Sequence, residues 1–152
     1  MRDMKYAILI LLLLVFAAGP LLAAEPQTPG GQTVQFAPGK EKRAVATLGS
    51  DGVQRIEIVG GEYYFNPNHL VVSVNKPVEL RVKKSSRYVP HNIIVKAPEA
   101  GINFKIDMKG DFLPIRFTPT RIGKYPMYCD TSFLWFENHQ AKGMEGMIEV
   151  VE

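Results

Sequence analysis

An all-β sandwich is the fold class this sequence predicts, and three observations carry that prediction. From Val53 onward the chain runs in short segments where apolar and polar residues alternate. Turn-forming residues break these segments at regular intervals. No long amphipathic stretch of helical period lies between them. A period of two marks strands with one face on a core and one in water, and short strands evenly spaced by turns are the pattern of an antiparallel sandwich.

The chain opens with "MRDMKYAILILLLLVFAAGPLLAA", in which Arg2 and Lys5 precede an apolar run that ends in small residues before Glu25. This is the layout of a secretory signal peptide. The competing reading is a transmembrane anchor, since the run approaches the lower limit of the ~17–25 apolar residues that span a bilayer. Pro20 within the run and the Ala23-Ala24 pair favour cleavage, so residues 1–24 are expected to be removed on export to the periplasm, leaving no membrane span. Removal takes away two positive charges and one negative charge, lowering the formal charge from +3 to +2. So nearly balanced a chain is not a nucleic-acid binder by bulk electrostatics. The remaining length, about 128 residues, suits one domain that buries a core without disulfides.

Residues 25–52 are rich in Pro, Gly, Gln and charge, and only "AVATL" hints at extended structure. They read as a flexible N-terminal arm or linker, which sets the domain at residues 53–152. Within it, "HLVVSV" puts Leu70, Val72 and Val74 on one face, and "VELRVKK" turns Val78, Leu80 and Val82 inward with Glu79, Arg81 and Lys83 outward. Turn signals stand at residues 66–68 (NPN), 75–77 (NKP), 84–86 (KSS), 97–101 (APEAG), 109–111 (KGD) and 119–123 (PTRIG). "FTPTRIGKYPMYC" supplies a strand with Phe117, Tyr125 and Met127 alternating, and "GMIEVV" supplies the last one. Between them, "DTSFLWFENHQAKG" begins with good helix-capping residues and ends in Gly143, a usual helix stop, so a short helix or an ordered loop is expected there.

That loop follows the only cysteine, Cys129. In an oxidising compartment an unpaired thiol tends to be oxidised or to pair between chains unless something occupies it, and a metal ion is such an occupant. Copper cycling between two oxidation states is suited by a thiolate, two imidazoles and a weak axial thioether. Cys129, His139 and Met144 supply three of these within one loop, and His91, at the start of the strand "VPHNIIV", is the candidate for the fourth, brought in by folding. Hydrolytic chemistry has no comparable support. Ser132, Glu137 and His139 lie in one loop without the strand-turn-helix setting of a catalytic triad, and the glycines of "VGGEYY" precede no helix signal. The chain is not expected to be an enzyme.

"PHNIIV", "FTPTRIGKYPMYC" and the downstream "HQAKGMEGMIEV", taken in order, resemble the cupredoxins, the type 1 blue copper proteins of the plastocyanin and azurin kind. The resemblance covers about residues 53–152. It implies a Greek-key β-sandwich or barrel with one copper ion held by His91, Cys129, His139 and Met144, and with Asn92 tying the two ligand loops together. It also implies electron transfer to a redox protein such as a cytochrome or a membrane oxidoreductase, with copper tolerance, sequestration or delivery as the alternative. Nine residues separate Cys129 from His139, more than in small plastocyanin-like carriers. The dinuclear copper domain of cytochrome oxidase subunit II is excluded, because it needs a second cysteine.

Met147 and Glu62 are the competing candidates for the axial position, and His69 reads as a surface histidine. The apolar residues 133–136 (FLWF) are expected to cover the metal or to form a docking patch beside His139.

Overall fold

The computed structural model describes residues 40–132 and 138–152. The expected export signal (1–24), most of the expected arm and the FLWF stretch (133–136) lie outside the described residues. Eleven strands form two sheets, with no α-helix among the described residues and a single 3-10 turn at Pro98–Ala100. No helix among them is long and apolar enough to cross a membrane.

Sheet order in the six-stranded layer is β1-β5-β11-β10-β7-β8, from β1 (Arg43–Val45), β5 (His69–Ser73), β7 (Asn92–Ala97), β8 (Ile102–Asp107), β10 (Gly123–Tyr128) and β11 (Glu145–Val151). The other layer runs β2-β3-β6-β9, from β2 (Thr47–Leu48), β3 (Gln54–Gly61), β6 (Val78–Lys84) and β9 (Leu113–Phe117), with β4 (Tyr64–Asn66) folded back on β3. Most pairings are antiparallel, but β5 runs parallel to β1 and β11, and β3 runs parallel to β6.

The alternation read from the sequence decides which faces meet. Val78, Leu80 and Val82 of β6 are buried, as are Ile56 and Ile58 of β3 and Leu70 and Val72 of β5, whereas Arg81 is exposed. The β3 and β6 residues face Leu70 and Val72, together with Ile93, Val95, Tyr125, Met127, Ile148 and Val150 of the same six-stranded sheet, in one core. Each buried aliphatic side chain of this size contributes roughly 1.5–3 kcal/mol of transfer free energy, which is the main source of cohesion between the layers.

Two features differ from the expectations. Residues 43–48, assigned in the sequence to the arm, form β1 and β2 and pair with one sheet each, β1 on β5 and β2 on β3. Val45 and Leu48 remain largely exposed, so backbone pairing rather than side-chain burial holds them. His69 is not a surface histidine. It is 6% exposed, its Nδ1 meets the Glu41 carboxylate, and its Nε2 lies 2.8 Å from Glu149 Oε2. Glu41 lies in the arm and Glu149 in β11, so one imidazole fastens the arm to both β5 and the last strand.

The strand directions bring four connections to one end of the sandwich: the β3–β4 turn, the β6–β7 loop before His91, the β8–β9 loop and the β10–β11 loop after Cys129.

Candidate metal centre

His91 precedes β7, Cys129 follows β10, and these strands are antiparallel neighbours, with Tyr128 opposite Ile94. Sheet pairing therefore delivers the first imidazole and the thiol to the same edge. The β10–β11 loop then returns His139. His139 N–H donates to Thr131 O at 2.9 Å, and its carbonyl accepts from Lys142 N–H at 3.2 Å and from Met144 N–H at 2.9 Å. Residues 139–143 close as turns rather than as a helix, and Gly143 takes φ 91°, the left-handed region that glycine enters at little cost. The remainder of the expected helix falls on residues 133–137, outside the described residues.

His91, Cys129 and His139 converge, with one ligand atom from each within 4.8 Å of the others. His91 Nδ1 lies 3.0 Å from His139 Nδ1, and Cys129 Sγ lies 3.6 Å from His139 Nδ1. All three residues are at most 2% exposed. Donors each about 2.0–2.3 Å from a shared ion lie roughly 3–4 Å from one another, so these separations fit a common metal. The Nε2 atoms of both imidazoles are buried with no hydrogen-bond partner among the described residues. Among the described residues the two Nδ1 atoms meet each other, and that of His139 also meets the sulfur, so the donor set has the chemistry a metal needs: one thiol and two imidazoles, all buried.

Met144 is fully buried beside them. Its N–H bonds His139 and its carbonyl accepts from Cys129 N–H at 3.2 Å, so its backbone touches both residues that precede it in the loop. Met147 sits on β11 next to Ile148, which belongs to the core, while Met147 does not. Neighbouring strand residues point to opposite faces, which turns Met147 to the other side of the sheet. Glu62 is exposed in the β3–β4 turn.

No family profile and no curated protein sequence matches the chain. Solved structures do. The metal-binding domain of the Streptococcus pneumoniae D39 Cu(I)-exporting P-type ATPase CopA, determined with Cu(I), is similar over 73% of this chain and 97% of that one, with TM-score 0.53 and 25% identity. Reduced auracyanin from Roseiflexus castenholzii matches over 70% of this chain and 99% of its own, with TM-score 0.52 and 22% identity. Auracyanin A, a "blue" copper protein from Chloroflexus aurantiacus, matches over 66% and 100%, with TM-score 0.51 and 23% identity. The chain has the cupredoxin fold.

In this cupredoxin domain Asn92 joins the segment that carries His91 to the one that carries Cys129. Its backbone N–H donates to Cys129 Sγ at 3.4 Å, its Nδ2 donates to Asp130 Oδ1 at 2.7 Å, and its Oδ1 accepts from Asp130 N–H at 3.1 Å. Lys105 of β8 completes the link by donating to Asp130 Oδ2 at 2.8 Å. The Lys105 ammonium, and after it the Asn92 amide, hold the Asp130 carboxyl below its ordinary pKa, so a carboxylate stands fixed next to the thiol-bearing residue.

Tyr63 and the Lys105–Asp130 pair were not legible as parts of the site. Tyr63 has φ 61°, uncommon for a bulky residue, and its ring meets the His139 ring edge-on at 5.1 Å. Lys142 Nζ sits 4.5 Å from the centre of the Tyr63 ring. Tyr63 directly follows Glu62, the carboxylate candidate, and an aromatic ring is what this turn brings to the His139 imidazole.

Burial, with smaller contributions from His139 and Lys84, lowers the His91 pKa from 6.5 to about 4, and burial followed by Lys142 lowers that of His139. The unfolded chain takes up a proton near pH 6.5 that the folded chain refuses until about pH 4, so His91's contribution is fully present above pH 6.5 and is lost as pH falls through that window. The metal-free protein is expected to keep a level melting temperature from pH 8 to 6.5 and then to lose up to about 3 kcal/mol of stability toward pH 4. Thermal melts across this range, on wild type and on His91→Gln, check it: the variant should show a flatter acid limb.

Proposed function

We propose that the chain is an exported protein that holds one copper ion through His91, Cys129 and His139, with the Met144 thioether as a weak fourth ligand, and that it carries electrons in the periplasm. The convergence of two buried imidazole Nδ1 atoms and a buried cysteine sulfur at one end of a cupredoxin sandwich carries this reading. Thiolate and imidazole together accept both Cu(I) and Cu(II), and copper would supply a one-electron couple.

The chain's own residues do the rest. The loop bonds from His139 to Thr131 and Met144, and from Cys129 to Met144, hold the donors in a fixed cage, so little needs to rearrange when charge changes. Asn92 N–H withdraws charge from the sulfur, and burial keeps water from the donors, both of which favour the lower oxidation state. Support for Met144 over Met147 comes from its burial among the core residues that include Cys129, whereas Met147, though buried, lies on the opposite face of β11 outside that cluster. Residues 1–24 serve as the export signal in this reading, and the partner is another redox protein, a cytochrome or a membrane oxidoreductase.

Copper handling is the second reading, favoured by the likeness to a Cu(I)-exporter domain. Stopped-flow mixing of the Cu(II)-loaded protein with a reduced cytochrome, run beside competition with a copper chelator, separates the two. Fast electron exchange with copper retained supports the carrier. Fast metal loss with slow exchange supports the handler.

Met144→Leu is expected to raise the reduction potential while preserving the visible absorption of the copper form, because loss of a thioether destabilises Cu(II) more than Cu(I). Met147→Leu should change the potential little. Voltammetry on the two variants checks the assignment, and the reverse pattern would transfer the axial role to Met147.

A further inference from the structure

The inward residues of β3 run Gln54, Ile56, Ile58 and then Gly60, where the alternation calls for another core side chain. A Cβ built on Gly60 would stand 2.9 Å from Met108 Sδ, 3.0 Å from Met108 Cε and 3.2 Å from Met144 Cε. Two thioether side chains from different loops thus fill the space that an ordinary strand residue would take. Met108 belongs to the β8–β9 loop, is 2% exposed, and donates its N–H to His91 O at 2.9 Å, which fastens it to the residue carrying the first imidazole. Met144 is the loop residue bonded to both Cys129 and His139. No left-handed backbone angle requires glycine at position 60, for it lies in a regular strand opposite Phe65 and Lys84.

We infer that Gly60 is a positioning residue of the metal centre: the absence of its side chain admits Met144, which shares that space with Met108, to its place beside the His91–Cys129–His139 donors. The inference rests on the copper reading for its chemical meaning, since Met144 is there the axial ligand. The packing relation itself does not. A contact under 3.0 Å forces movement, and both neighbours are the flexible ends of methionines, so alanine displaces the thioethers and leaves the strand intact.

The test is Gly60→Ala in the mature protein, alone and combined with Met108→Ala or Met144→Leu. In metal-free protein carrying 13C-methyl methionine, Gly60→Ala should shift the Met108 and Met144 methyl resonances and leave those of Met127 and Met147 in place. In copper-loaded protein it should change the potential in the same direction as Met144→Leu and weaken copper retention about tenfold, the lower range for residues that orient metal ligands. Adding Met108→Ala removes the tightest contact and should recover most of the loss. Adding Met144→Leu should leave Gly60→Ala with no further effect on the potential, because both act through one thioether. Unshifted methyl resonances in Gly60→Ala, or additive effects with Met144→Leu, would overturn the inference. Should wild type lack thiolate-to-copper absorption while the methyl shifts occur, the copper reading falls and the packing role of Gly60 stands. If Gly60→Ala does not fold, Met108→Ala alone must shift the Met144 methyl resonance, and no shift there also overturns the inference.

Discussion

Cys129→Ser is expected to abolish the intense visible absorption of the copper-loaded protein and to weaken copper retention by more than about 100-fold, beyond the 10–100-fold typical when a group that merely supports a ligand is removed. Serine is nearly isosteric with cysteine, and Cys129 is fully buried at the edge of the core, so the metal-free fold should persist with a small change in melting temperature. His91→Ala should also lower retention, but it leaves the thiolate in place. A residual, altered band is then expected. Absorption spectra and chelator competition on both variants, with melts of the metal-free forms, read these effects. Wild-type spectra from both would place the metal elsewhere.

His69→Ala should produce the largest stability loss outside the hydrophobic core. The imidazole joins Glu41 and Glu149 through both ring nitrogens, and Arg43 Nη2 lies 3.7 Å from Glu149. Removing it cuts two hydrogen bonds to carboxylates and opens a gap between the arm, β5 and β11. Bonds to charged groups are worth about 1.5–3 kcal/mol each, less where the carboxylate is partly in water, so a loss of about 2 kcal/mol is expected. For a domain of this size that lowers the melting temperature by roughly 8 °C. Hydrogen exchange should report the loss first at the amides of β1 (Arg43–Val45), whose pairing to β5 begins at His69. An unchanged exchange pattern there would show that backbone pairing alone retains the arm.

The contrast between these two residues shows what was readable in the chain. Cys129, His139 and Met144 stand within 16 residues of one another, and a thiolate, imidazole and thioether in that order carry their chemistry on their face. His91 required one further step, and its position at the start of a strand of apolar residues supplied it. His69 gave no such signal. Its partners are 28 and 80 residues away, and nothing in "NPNHLV" anticipates them. The short strands β1 and β2 were hidden for a different reason: they have only three and two residues, and their larger apolar side chains, Val45 and Leu48, stay in water, so the long period-two burial that marks β3 and β6 is absent. Gly60 lies between these cases. The break in the inward alternation after Ile58 is visible in the sequence, but its purpose depends on Met108 and Met144, which only the fold brings over it.

The same distinction applies to the electrostatics. Asp130 follows Cys129 in sequence, yet its role depends on Lys105, delivered from β8 across β7. Neighbouring strands, more than neighbouring residues, decide which charges face the donors.

Absorption spectroscopy of the mature wild-type protein, titrated with Cu(II) to beyond one equivalent, tests the central claim most directly. A cysteine thiolate bonded to Cu(II) absorbs intensely in the visible, whereas imidazole and carboxylate ligands alone do not. The account predicts a strong visible band that grows linearly to one copper per chain and stops there. Copper uptake with only weak visible absorption, or a band that saturates at another stoichiometry, would contradict a single centre built on His91, Cys129 and His139.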